Sequence, residues 1–315
     1  MMQKLMSLVL ILILCSCVPQ KRVVAEDVQY FGTKRLVGHF ANLDIRGPFN
    51  INLTTGAKYA KVLVKADERA LPDIELEIKN NTLYVRCMKN CAKYHGSSLR
   101  IEVKNLNNFY YSGSGRITGH KVNLRQTNLH IINHGATRLS GNLNLRDVYI
   151  AGKGYTSLTG VKAKALSITL RQNARLQVRG EVQLASLTLG NGTWLSLYWL
   201  KANQLEFKGR GRTFVQLAGI VRVLDIELWG HARFNGRYLR AQETFIKTHG
   251  HSLAEISTFG HQHTLALDSS DIYYYNDYMK SHADFMGMRG AVLDLNEWEP
   301  ADLDDNLYSD IQSTG

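Results

Sequence analysis

The residues of this chain best suited to covalent or metal chemistry are Cys87 and Cys91, four apart, with His95 a further four along. In an exported chain an even cysteine pair suits a disulfide closing a tight turn. With His95 the group supplies three metal ligands, whereas a structural zinc site takes four. The sequence therefore predicts a Cys87–Cys91 disulfide and assigns no metal. Histidines gather further on: His231 and His251 each follow a turn glycine, and His249, His261 and His263 lie nearby. Imidazole is a good ligand for transition metals, but no carboxylate or cysteine completes a set, so these read as surface turn residues.

Carboxylates come next, because glycoside hydrolysis needs two of them across one scissile bond. Alternation along a strand places Asp225 and Glu227 on one face, with Glu206 about one repeat earlier. A polysaccharide-modifying enzyme centred on Asp225 and Glu227 is thus the alternative functional reading, although the clustered Asp-Asp and Asn-Thr-Asp runs of pectin-hydrolase β-helices are absent. There is no Gly-x-Ser-x-Gly elbow, phosphate loop or dinucleotide fingerprint. No catalytic residue and no cofactor is assigned.

Charge points to binding instead. Arg116 to Arg240 holds 19 Lys and Arg against 5 Asp and Glu, a difference of +14, while Asp294 to Gly315 holds 7 acids and no base. A rigid body so charged attracts anionic surfaces. Arg171, Arg175, Lys208, Arg210, Arg212, Arg233 and Arg237, with Trp194, Trp199 and Trp229 among them, form the candidate binding surface. Aromatic faces beside cations suit sugars, so an anionic polysaccharide or lipopolysaccharide is the expected partner rather than nucleic acid. Nothing in the sequence sets the oligomeric state.

The elements that must carry these residues are strands. Four prolines against 26 glycines, with abundant Leu, Ile and Val, favour short strands between turns. Between Phe40 and Val103 apolar residues alternate, as in Phe49-Asn50-Ile51-Asn52-Leu53 and Lys61-Val62-Leu63-Val64-Lys65. After Ser112 a turn recurs at Gly115, Gly135, Gly154, Asn173, Gly192, Gly211, Gly230, Gly250, Ser270 and Gly290, at one spacing of 20, five of 19 and three of 20. Short apolar runs precede each turn, such as Val148-Tyr149-Ile150 and Leu224-Asp225-Ile226, and an apolar anchor follows, among them Leu139, Leu176, Phe214 and Leu253. A unit of this size cannot bury its own apolar face and must stack on its neighbours. The expected fold is all-β: a parallel β-helix or solenoid of about ten coils with a 19–20 residue period, preceded by a short alternating-strand N-terminal section.

The chain opens on a short basic region and an apolar run, Leu5 to Leu14, too short to span a bilayer comfortably. Leu14-Cys15-Ser16-Cys17 resembles the lipobox of bacterial lipoproteins. That resemblance implies a signal peptide over 1–16, lipidation of Cys17 and a membrane anchor, and Val18 favours the outer membrane of a Gram-negative envelope. A tether over 17–39, a solenoid domain over 40–293 and an acidic tail over 294–315 complete the expected organisation.

Leu43-Asp44-Ile45-Arg46-Gly47-Pro48-Phe49-Asn50-Ile51-Asn52-Leu53, Val62-Leu63-Val64-Lys65-Ala66-Asp67, Asn80-Asn81-Thr82-Leu83-Tyr84-Val85 and the turn Tyr111-Ser112-Gly113-Ser114-Gly115 resemble the head GIN domain family of autotransporter-adhesin-like proteins. The resemblance covers most of residues 40–293. It implies a β-helical body in an exported or lipid-anchored protein, and with it a non-enzymatic binding or adhesion role. A purely structural envelope role is the third reading.

Overall fold

A computed structural model describes residues 31–89, 93, 96–275 and 282–294, apart from the side chains of residues 31, 282–288 and 294. Cys17, Cys91, His95 and the tail beyond Asp294 lie outside the described residues. The fold is all-β, a solenoid of about nine turns. Its body is eight long strands: β9 (Ile117–Asn133), β10 (Thr137–Ala151), β11 (Tyr155–Arg171), β12 (Arg175–Leu189), β13 (Trp194–Gly211), β14 (Phe214–Gly230), β15 (Arg233–Thr248) and β16 (Leu253–Leu267). Each pairs in parallel with the next. β17 (Asp271–Tyr274), β18 (His282–Met288) and β19 (Ala291–Asp294) continue the stack.

These strands run 15 to 18 residues, longer than the short runs the sequence suggests, because each bends without leaving the ladder. Register slips mark the bends, for example between Leu197 and Leu200 against β14. Periodic apolar residues stack into columns that fill the core. One column is Leu129, Val148, Ile168 and Leu187, continued beyond β12 by Leu205 and Leu224. Where Phe214 and Leu253 were expected as inward anchors, their neighbours Val215 and Ala254 are buried instead. Phe214 and Leu253 stand in the outward register column with Arg233. In a strand, adjacent residues face opposite sides, so a frame error of one exchanges inside for outside.

Four turns are fastened by a small hydroxyl residue that donates to the carbonyl three positions back, whereas Ala174 and Ala232 hold the equivalent place at two others. Thr193 Oγ1 reaches Gly190 O (2.6 Å), Thr213 Oγ1 reaches Arg210 O (2.8 Å), Ser252 Oγ reaches His249 O (2.9 Å) and Ser270 Oγ reaches Leu267 O (2.6 Å). These side chains are buried, so each hydroxyl pairs its donor with a backbone carbonyl rather than leaving it unsatisfied.

The ladder lapses once along this body. β12 and β13 pair only as far as Val182 and Leu200, and Leu184–Leu189 then faces Gln204–Lys208 across a cavity of about 590 Å³. Leu184 and Leu187 are half-buried there, packed against the core cluster.

The N-terminal section is part of the same stack. β2 (Asn42–Arg46) is sandwiched in parallel between β6 (Thr82–Cys87) and β8 (Asn108–Gly113), and β8 pairs with β9. β3 (Asn50–Thr55) lies in parallel between β7 (Ser98–Val103) and β9. The first coil in sequence is therefore second in space. Asn108 Nδ2 donates to Asn42 Oδ1 (2.7 Å) and Asn128 Nδ2 to Asn108 Oδ1 (2.7 Å), an amide ladder along this column. Antiparallel strands close the end: β5 (Ile74–Lys79) on β6, β4 (Ala60–Asp67) on β7, and β1 (Phe31–Gly38) on β4. A bare parallel edge would template further pairing, and the antiparallel strands cover it. Residues 31–38, expected as the end of a polar tether, are thus a strand. Lys34 Nζ donates to the Leu71 and Ile74 carbonyls at the short 3₁₀ turn Leu71–Asp73, which ties β1 down.

Candidate functional site

The turn edge of β13, β14 and β15 brings together more charged and aromatic side chains than any single segment suggests. Arg210 and Trp229 are register partners, and the guanidinium lies 4.8 Å from the indole centroid. The other neighbour of Trp229 is His249, stacked at 5.7 Å with rings inclined by 4°. The result is a three-layer stack of cation, indole and imidazole on successive coils. One step further round, the backbone N–H of Arg212 donates to Asn191 Oδ1 (2.8 Å), and His231 and His251 stack at 5.3 Å. Their backbone N–H groups donate to Gly211 O and Gly230 O (2.9 and 2.7 Å), which fixes the ring spacing.

Beyond the turn, Tyr155, Arg175, Trp194, Phe214 and Arg233 occupy one outward column. Trp194 stacks on Phe214 (6.2 Å, 4°) and approaches Tyr155 (6.4 Å) across the Arg175 level. Arg171 is exposed at the last position of β11. Of the sequence-predicted surface, Arg171, Arg175, Trp194, Arg210, Arg212, Trp229 and Arg233 therefore share the turn edge.

Three members fall elsewhere or are neutralised. Lys208 stands on the strand before the turn and forms an ion pair with Glu206 (2.8 Å). Its ammonium pKa is raised first by the hydrogen bond to Glu206 and then by that carboxylate's charge. Trp199 and Arg237 stand at the far end of the post-turn strand. Five residues of extended chain put Trp199 about 16 Å from Trp194. Sequence proximity grouped them with the turn residues, but a run of extended strand carries the chain away from the turn before it reaches them. His249, Phe214 and Tyr155 were missed as members of the edge. Their signal was the period itself, since 210, 229 and 249 are spaced by 19 and 20.

The carboxylates lie in register on the outward strand surface, Glu206 beside Asp225 and Lys208 beside Glu227. Burial raises the pKa of Asp225, and the Glu206 charge adds to the shift. Glu227 lies 3.8 Å from Lys247 Nζ and 3.9 Å from His249 Nε2. Cys87 ends β6. Among the described residues no group of three His, Cys, Asp or Glu is placed to hold a metal ion, and no helix is long and apolar enough to cross a membrane.

Fold and edge together define a β-solenoid that displays an ordered array of cationic and aromatic side chains along its turns. Residues 39–194 match the family model described as "Putative auto-transporter adhesin, head GIN domain", and this part of the chain belongs to that family. No curated protein matches the chain. Similar crystal structures include one described as a "putative adhesin" from Parabacteroides merdae, 14% identical, covering 84% of this chain and 95% of that one, TM-score 0.43. A second, from Parabacteroides distasonis, has the same description, 14% identity, coverage of 85% and 98%, and TM-score 0.44. A third, described as a "putative lipid binding protein" from Parabacteroides distasonis, is 15% identical, covers 84% and 96%, and has TM-score 0.41.

Proposed function

We propose that this chain is a non-enzymatic cell-envelope protein that uses its turn edge to adhere to anionic polysaccharide, lipopolysaccharide included. Membership of an adhesin-described family supports an envelope or extracellular setting. The observation that carries the ligand class is the Arg210–Trp229–His249 stack beside Arg212 and Arg233. A sugar ring can lie against an aromatic face while its carboxylate or phosphate meets a guanidinium. Lipid on Cys17 would anchor the protein to the outer membrane, and a Cys87–Cys91 disulfide would close the turn after β6.

Binding of the purified chain to alginate, a uronic-acid polymer, tests this reading. Arg210→Gln with Arg212→Gln should weaken binding roughly 5- to 30-fold at low ionic strength, at about 0.5–1 kcal/mol per exposed charge contact. The loss should shrink as salt screens the edge. Equal binding by parent and variant would remove the turn edge as the contact surface.

A further inference from the structure

Trp199 is the most exposed large apolar side chain among the described residues, at 72%, and its backbone is left-handed at φ +66°. It occupies a bend where the adjacent coils place glycine. Gly180 of β12 and Gly219 of β14 have φ of +149° and +145°, and Leu200, immediately after Trp199, is the register partner of Gly219. A bulky residue in this region is strained, and strain that persists without packing points to a role outside the fold. Burial does not account for an indole that is mostly in solvent.

Trp199 is not alone. On the next three coils the same bend exposes Ile220 (59%), Tyr238 (49%) and Phe259 (41%). The register ties them together: Ala218, just before the glycine of its bend, pairs with Tyr238, and Lys201, Ile220 and Arg240 share one column. Arg240 lies 5.7 Å from the Phe259 ring, and Arg237 lies 5.8 Å from Tyr238 and 4.5 Å from Tyr275. Coils are about 4.8 Å apart, so these four exposed side chains on successive coils form a ridge running roughly 15 Å along the stack. Lys201, Arg222, Arg237 and Arg240 flank it, against Glu181 and Glu243.

We infer that this ridge is a membrane-contact edge that seats the solenoid on anionic phospholipid. Trp, Tyr and Phe with flanking Lys and Arg are the side chains that settle at the headgroup boundary, where rings enter the apolar margin and cations meet lipid phosphate. Ile220 adds no hydrogen bond or ring face that a sugar could use, but it does add apolar area to an interface. The net positive flank excludes a cationic surface and complements an anionic one. This edge is separate from the turn edge, and the two surfaces can fail independently.

The test uses the full chain carrying Cys17→Ser, so that no lipid is attached there, with vesicles of phosphatidylcholine alone or containing about one third phosphatidylglycerol. The parent should partition onto the anionic vesicles at least about tenfold more strongly than onto neutral ones. Trp199→Gly with Ile220→Ser should lower that partitioning at least about tenfold. Its thermal midpoint should be unchanged or higher, because glycine suits the bend. Arg210→Gln with Arg212→Gln should leave vesicle binding within about twofold of the parent while weakening alginate binding. Should the ridge variant fail to fold, Tyr238→Ser with Phe259→Ser makes the same measurement at two exposed positions. Partitioning that is absent in the parent, or equal in parent and ridge variant, overturns the inference. So does a dimer that forms without vesicles and dissolves in the ridge variant, since the ridge would then face a second copy.

Discussion

Asp67 closes β4 almost fully buried, and Arg69 holds its carboxylate through two guanidinium hydrogen bonds (2.8 and 2.9 Å) and a backbone N–H (2.9 Å). The side-chain bond is the larger cause and the backbone bond the second, and together they lower the Asp67 pKa to about 2. The unfolded value is about 3.9. Because the folded value is the lower one, the stabilisation is complete above about pH 4 and is lost as pH falls towards 2. Asp67→Asn should therefore lower the thermal midpoint at neutral pH, with the gap to the parent closing between pH 4 and pH 2 in a melting series. At this scale the sequence was informative where one residue sufficed. The Arg210 and Trp229 pair was visible as a cation and an aromatic near turns, whereas Trp199 and Arg237, grouped with them on the same grounds, stand further along their strands. A side chain's neighbours across coils depend on register, which a list of basic and aromatic residues does not contain.

The elements are defined by two recurrent breaks, and only one was legible. Turn residues recur as Gly, Asn or Ser every 19 or 20 positions, so composition and spacing mark them. The mid-strand bend is occupied by Lys121, Gly141, Gly160, Gly180, Trp199 and Gly219, all with positive φ. A mixture of lysine, glycine and tryptophan hides the period. Gly219 shows why the position is restrictive: a Cβ there would lie 2.0 Å from the Leu200 carbonyl oxygen, at φ +145°. Gly219→Ala should cost about 1–3 kcal/mol, read as a lower midpoint in denaturant unfolding. The opposite exchange, Trp199→Gly, should not destabilise. A contrast of that sign between two residues of the same bend on adjacent coils separates the demands of the bend from those of the exposed ridge.

For the whole molecule, the stacked coils make stability a sum of neighbour contacts rather than the property of one central core. Gly211 and Gly230 are register partners at the same turn. Removing residues 212–230 joins Gly211 to His231 and leaves every column in frame. The shortened chain should fold with a sharp transition, its midpoint lower by several degrees. Removing residues 221–230 instead puts turn residues opposite strand residues and should abolish cooperative unfolding measured by circular dichroism. The sequence by itself determined the all-β class, the 19–20 residue period and the family, because periodic burial must be written in every coil. Only the tertiary structure decided the rest. It put the first coil second in the stack beneath antiparallel strands, opened the ladder between β12 and β13, and divided one basic surface into a turn edge and an aromatic ridge. Each of these depends on which strand pairs with which and in what register, and those contacts join residues about 20 or more positions apart.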